Sequence, residues 1–204
     1  MSNPTQDRFY TVEEYFALEA SSQEKYEYVN GRVIAIREML AMAGGAINHA
    51  LIAANILVAL SNRLKGGSCR AFGSDLRVRI PRKTLYFYPD VTVVCGPGDV
   101  EDNQSAGQTV TNPKLIVEVL SPGSELYDRG KKFARYLEMP SLEEYVLVSQ
   151  QSPRVESHLR QDDGSWSFTF ASGTDATIKL RSLDIKLPLT DIYSGVALPP
   201  EERD

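Results

Sequence analysis

The sequence predicts a mixed α/β (α+β) fold: a central sheet flanked by helices, with extra strands toward the C-terminus. Three features carry that prediction. "LIVEVL" (115–120) and "EYVLVS" (144–149) are continuous apolar runs of strand length, as in strands covered on both faces, and a helix-length segment separates them. "YEYVNGRVIAI" sets Asn30-Gly31 between two runs of β-formers, a strong hairpin signal. The short late strands "RVESHLR", "SWSFTF" and "ATIKL" extend the sheet before "LPLTDIYSG" closes the domain.

Along the chain, Thr11 followed by Glu14 is a capping-box pair that starts a short helix with Val12, Tyr15, Phe16 and Leu18 on its apolar side. The hairpin follows. Residues 47–64 read as a mostly buried helix, whose Asn48, Asn55 and Asn62 recur every seven residues as one polar seam. "CRAFGSDLRVRI" and "LYFYPDVTVVC" read as a strand pair joined through "PRKT", and "GPGDVEDNQSAGQTVTNP" as a long polar loop. After "LIVEVL" come a turn at Ser121-Pro122-Gly123 and a helix from about Asp128 to Met139. One domain is expected over 11–198, with flexible tails at 1–10 and 199–204.

The composition narrows the function classes. "LIAANILVAL", the most apolar stretch, is about half the length of a membrane span, and "MSNPTQDRFY" lacks the features of a secretory signal, so a soluble, cytoplasmic protein without membrane contact is expected. Cys69 and Cys95 show no metal-site spacing and imply no disulfide. A net charge of −5 argues against a generally basic nucleic-acid coat but leaves room for a local basic groove. No GxSxG, P-loop or dinucleotide fingerprint is present.

Two acids break the apolar pattern. Glu118 lies inside "LIVEVL", and Asp90 follows Pro89, which cannot donate to a sheet ladder and so marks a bulge or edge. Buried carboxylates on neighbouring strands either pair with arginines, such as Arg77 or Arg79, or share a hard divalent cation such as Mg²⁺. Two lysines follow in the next helix. With Phe133, Tyr136 and Leu137 facing the sheet, Lys132 lies about 100° from the centre of that stripe and Lys131 about 160°. Lys132 is therefore at the border of the buried face and Lys131 points to water.

"YPDVTVV", followed 28 residues after its aspartate by "LIVEVLSP", resembles the PD-(D/E)XK signature of metal-dependent nucleases. With "KYEYVNG", "AMAGGAINHALIAANIL", "SDLRVRI", "YDRGKKFARY" and "EYVLVSQ", the chain resembles the Uma-type family of restriction-endonuclease-like proteins in that superfamily. The resemblance implies a restriction-endonuclease-like core, Mg²⁺ (with Mn²⁺ as a substitute) held by Asp90, Glu118 and the Val119 carbonyl, and hydrolysis of DNA phosphodiesters. The superfamily's lysine two residues after the glutamate is replaced here by Leu120, and the family places it instead at the position of Lys132. "SPGS" also departs from the more usual "SPST".

The resemblance makes Glu27 an early acidic position that completes the metal site; the alternative is an exposed acid on the first hairpin strand. His49, in the first helical turn beside Gly44-Gly45, is either a core histidine or an accessory group where a phosphate approaches. Asp75 is an extra ligand or the partner of Arg77 and Arg79 in a strand. Tyr86 and Tyr88 stack on bases or pack across strands, and His158 is expected at the surface. The leading expectation is a Mg²⁺-dependent DNA endonuclease acting on duplex DNA, as a homodimer if both strands are cut. The alternatives are a catalytically inactive nucleic-acid-binding or regulatory protein on the same fold, and a structural domain whose acids form salt bridges.

Overall fold

The computed structural model describes residues 8–36, 46–81, 83–102 and 108–199; Gly44-Gly45 and most of both expected tails lie outside these. Thr11 caps α1 (Val12–Ser21) with the full reciprocal capping box to Glu14. The hairpin of β1 (Tyr26–Val29) and β2 (Arg32–Ala35) turns through Asn30 and Gly31, both at positive φ, as the tightest hairpin turn requires. α2 spans Ala46–Arg63.

The expected strand pair that follows is in fact four strands in two sheets. β3 (Cys69–Gly73) pairs with β6 (Val91–Cys95), whereas β4 (Arg77–Arg79) pairs with β5 (Leu85–Phe87) in a different sheet. The ribbon crosses from one sheet to the other at 74–76 and 88–90. Pro89, which has no N–H for a ladder, sits in the second crossing. The expected long loop also contains two short strands, β7 (Val100–Asp102) and β8 (Gln108–Val110), which pair antiparallel while β8 runs parallel to β4.

β9 (Leu115–Leu120) and β10 (Glu144–Ser149) are parallel neighbours. Between them lies the helical run 125–136, here α3, composed of Glu125–Tyr127, a π-helical turn Asp128–Lys132, and Phe133–Tyr136. β11 (Arg154–Arg160), β12 (Trp166–Ser172), β13 (Thr177–Leu180), β14 (Ile185–Pro188) and α4 (Leu189–Ile192) complete the described chain. The first sheet has the order β2-β1-β5-β4-β8-β7 and the second β12-β11-β10-β9-β6-β3, while β13 and β14 pair separately.

Side-chain alternation along β9 explains how the layers stack. Leu115, Val117 and Val119 pack with Ile52, Ile56 and Leu60 of α2. Ile116 and Leu120 face the other way, into a core shared with Val78, Leu85 and Phe87 of the first sheet and Tyr136 of α3. Glu118 has the same parity as Ile116 and Leu120, so it points between the two sheets. α1 covers the far side of the first sheet through Tyr15, packed with Tyr28 and Tyr86.

Contrary to expectation, Cys69 and Cys95 form a disulfide: they are directly opposed in the β3–β6 register, their Cα atoms 3.9 Å apart. Sequence spacing carries no sign of that register. Among the described residues no helix is long and apolar enough to cross a membrane.

The asparagine seam of α2 has a specific use. Asn48 donates to the Ala197 carbonyl, and Asn55 donates to the carbonyls of Ile192 and Ser194, so the seam binds the C-terminal segment, whereas Asn62 is exposed. Asn55→Ala should therefore cost about 1–3 kcal/mol in denaturant melts, because it leaves carbonyl groups unpaired. Asn62→Ala should stay within about 0.5 kcal/mol of wild type.

Candidate active site

Asp90 stands at the entrance to β6, one residue before Val91, which is in register with Val117. That places it beside Glu118 of the adjacent strand. The Val119 N–H donates to Asp90 Oδ2 at 2.7 Å, and His49 Nε2, from the first turn of α2, lies 3.3 Å from the same oxygen. Burial pulls the His49 imidazole toward neutrality, but the Asp90 carboxylate outweighs it and raises the pKa.

The second half of the site centres on one ammonium. Lys132 Nζ lies 2.9 Å from Glu118 Oε1 and 2.9 Å from Glu27 Oε1, with Asp128 Oδ1 at 3.7 Å. Tyr136 donates its hydroxyl to the same Glu118 Oε1 at 3.1 Å. Tyr127 reaches Glu27 Oε2 at 3.5 Å, a long contact, and Arg135 donates to the Tyr127 hydroxyl at 2.8 Å. The ammonium and its two closest acids are nearly sealed from water: Lys132 is 5% exposed, Glu118 3% and Glu27 1%. The π-helical turn carries both Asp128 and Lys132 inward while Lys131 stays exposed, and such turns are common at functional sites.

Three buried acids thus share one buried cation. Burial raises the carboxyls of Glu118, Glu27 and Asp128, in each case opposed by Lys132. Burial works against the Lys132 ammonium, but the carboxylates of Glu118 and Glu27 overcome it and raise its pKa well above the usual lysine value.

Asp90, Glu118, Val119, Asp128, Lys132 and His49 line one cavity of about 500 Å³, together with Glu27. Among the described residues no three His, Cys, Asp or Glu side chains converge tightly enough to hold a metal unaided. The chemistry of the donors fits a hard cation nonetheless: Asp90 and Glu118 offer oxygens to one cavity, and Mg²⁺ typically takes one or two carboxylates, with waters and phosphate oxygens completing its shell.

The family model Uma2, described as "Putative restriction endonuclease", matches residues 12–190. The chain belongs to the Uma2 family. Two Synechocystis sp. proteins (strain ATCC 27184 / PCC 6803 / Kazusa) are similar over most of their length. "Uncharacterized protein slr1290" is 37% identical over 185 residues, 91% of this chain and 92% of that protein. "Uncharacterized protein sll1609" is 34% identical over 175 residues, 86% and 94% respectively. The crystal structure of "a putative nuclease belonging to DUF820" from Anabaena variabilis ATCC 29413 aligns with a TM-score of 0.65 at 18% identity, covering 85% of this chain and 92% of that one. The Uma2 chain therefore has the mixed α+β, restriction-endonuclease-like fold.

Other expected residues fall elsewhere in the Uma2 structure. Neither Arg77 nor Arg79 pairs with Asp90 or Glu118; Arg77 is bound to Glu19 and Thr109, and Arg79 to Glu101. Asp75 lies outside β4, is exposed and pairs with Lys25 at the cavity mouth. Tyr86 packs across strands against Tyr28, while Tyr88 lines the cavity with its hydroxyl on Glu19. His158, expected at the surface, is half-buried between Phe133 and Phe168 because it shares the β11 face that α3 covers. Sequence reasoning missed Asp128, which its place four residues before Lys132 signals, and Tyr136, which reads as purely apolar.

A carboxyl whose pKa rises on folding holds more protons folded than unfolded between its two values. Stability then falls as pH climbs through that window, from about 4 upward. His49, also raised, acts in the same sense from about pH 6.5 upward, and Lys132 is charged in both states until about pH 10. The metal-free protein should therefore melt at lower temperature at pH 8 than at pH 6. Asp128→Asn should raise the pH 8 melting point by about 2–4 °C, equivalent to about 1 kcal/mol, and flatten the slope. Calorimetry in chelator checks this, and a melting point that climbs between pH 6 and 8 would contradict it.

Proposed function

We propose that this Uma2 protein is a Mg²⁺-dependent endonuclease hydrolysing phosphodiester bonds in duplex DNA, with two copies pairing where both strands are cut. The observation that carries the reading is the meeting in one cavity of Asp90 and Glu118, from adjacent strands, with the buried ammonium of Lys132. Asp90, Glu118 and the Val119 carbonyl are the groups that would hold Mg²⁺ or Mn²⁺. When bound, such an ion neutralises phosphate charge and makes a water acidic enough to attack at neutral pH.

The chain's own groups supply the rest. Val119 N–H and His49 fix the Asp90 carboxylate on Oδ2. Lys132, held in place by carboxylates, presents fixed positive charge to the phosphate as negative charge builds on its oxygens, and helps orient the attacking water. The water gives up a proton to solvent as its oxygen bonds to phosphorus, the bond from phosphorus to the leaving oxygen breaks, and that oxygen takes a proton from solvent. Family membership and fold support the nuclease class of this reading.

Supercoiled plasmid incubated with purified protein and Mg²⁺ or Mn²⁺ should be nicked or linearised. Asp90→Ala, Glu118→Ala and Lys132→Ala should each slow cleavage by about 100-fold or more, whereas exposed Lys131→Ala should cut like wild type. Cleavage that survives these substitutions or a chelator would sink the mechanism. Metal-independent DNA binding without cleavage would favour a non-catalytic binding protein.

A further inference from the structure

The two acids that grip Lys132 are not equivalent. Glu118 places both of its hydrogen bonds on one oxygen, Oε1, which takes Lys132 and Tyr136 together. Among the described residues its Oε2 has no hydrogen-bond partner, and Glu118 lines the cavity. Glu27 is engaged at both ends, with Lys132 on Oε1 and the Tyr127 hydroxyl, itself receiving an Arg135 hydrogen bond, near Oε2.

We infer that Tyr136 is a positioning residue that keeps Glu118 Oε2 open to a divalent cation, and that Glu27 is the counter-ion of Lys132 rather than a further metal ligand. The inference rests on the metal-dependent reading above and sharpens it. A carboxylate rotates freely about its last bond unless donors fix it. Two donors converging on Oε1, one an ammonium and one a hydroxyl from the next turn of α3, set the plane of the group and leave a single oxygen for coordination. The Tyr136 ring, completely buried, is itself fixed by Phe87 and Tyr145, with centroids 5.4 and 5.5 Å away, so the hydroxyl cannot swing off. Each Glu27 oxygen already faces a donor, so a metal there would have to share it with Lys132 or Tyr127, whereas Glu118 Oε2 faces none among the described residues.

The test is Mn²⁺ titration of the full chain by calorimetry, without DNA, alongside thermal melts in chelator. Tyr136→Phe keeps the ring and removes the hydroxyl. It should weaken Mn²⁺ binding about 10-fold, the fold-change expected for one hydrogen bond to a charged group. Tyr145→Phe is the control, because it removes a buried hydroxyl that bonds the Asp128 carbonyl instead of an acid, and it should leave Mn²⁺ affinity unchanged. Glu27→Gln should change affinity by less than about threefold, whereas Glu118→Gln should lose most of it. If wild type binds Mn²⁺ and Tyr136→Phe binds it equally well, or Glu27→Gln falls as far as Glu118→Gln, this inference fails and the metal-dependent reading stands. If wild type binds no Mn²⁺, both fail.

Discussion

One buried ammonium holds the parts of this protein together. Lys132 comes from α3, Glu118 from the second sheet and Glu27 from the first, so the contacts of a single Nζ join the helix to both sheets. Removing an ammonium from water costs several kcal/mol, and only well-placed partners offset it. The partners here more than offset the positive charge, because Asp128 stands close by as a third acid. The excess negative charge is a standing electrostatic strain on the metal-free fold. A chain selected for stability alone would replace one of these acids.

The sequence was informative where periodicity acts and silent where register acts. Glu118 stood out because its neighbours are all apolar, but the face it takes, opposite Val117 and Val119, was read only from the structure. Lys132 was separated from Lys131 by the 3.6-residue period even though the local winding is π-helical; the wider turn buries it more deeply than a border position. What could not be read depends on which strands meet. Pro89 signalled a break but not that the ribbon changes sheets there. The pairing of Cys69 with Cys95 exists only in the β3–β6 register, and β7 and β8, three residues each in a polar stretch, lack enough alternation to stand out. Tyr136 was misjudged because a ring on an apolar stripe gives no hint of what its hydroxyl touches.

Asp90 owes its position to that change of sheet. It lies where the chain leaves β5 in the first sheet and enters β6 in the second, outside the regular pleat of either. At the crossing its carboxylate reaches the Val119 amide, His49 and the cavity together. The disulfide closes the far end of β3 and β6, so the second-sheet arm of the ribbon is anchored opposite the acid.

The same ribbon constrains the order in which the molecule assembles. The charged groups of the cavity come from residues 27, 90, 118 and 132, on elements that are distant in the chain and come together only when both sheets are seated. Asp90, Glu118 and Lys132 meet within the second sheet and α3, whereas Glu27 arrives only with the first sheet. Seating the first sheet therefore gives Lys132 its second close carboxylate and completes the charge pairing of the cavity.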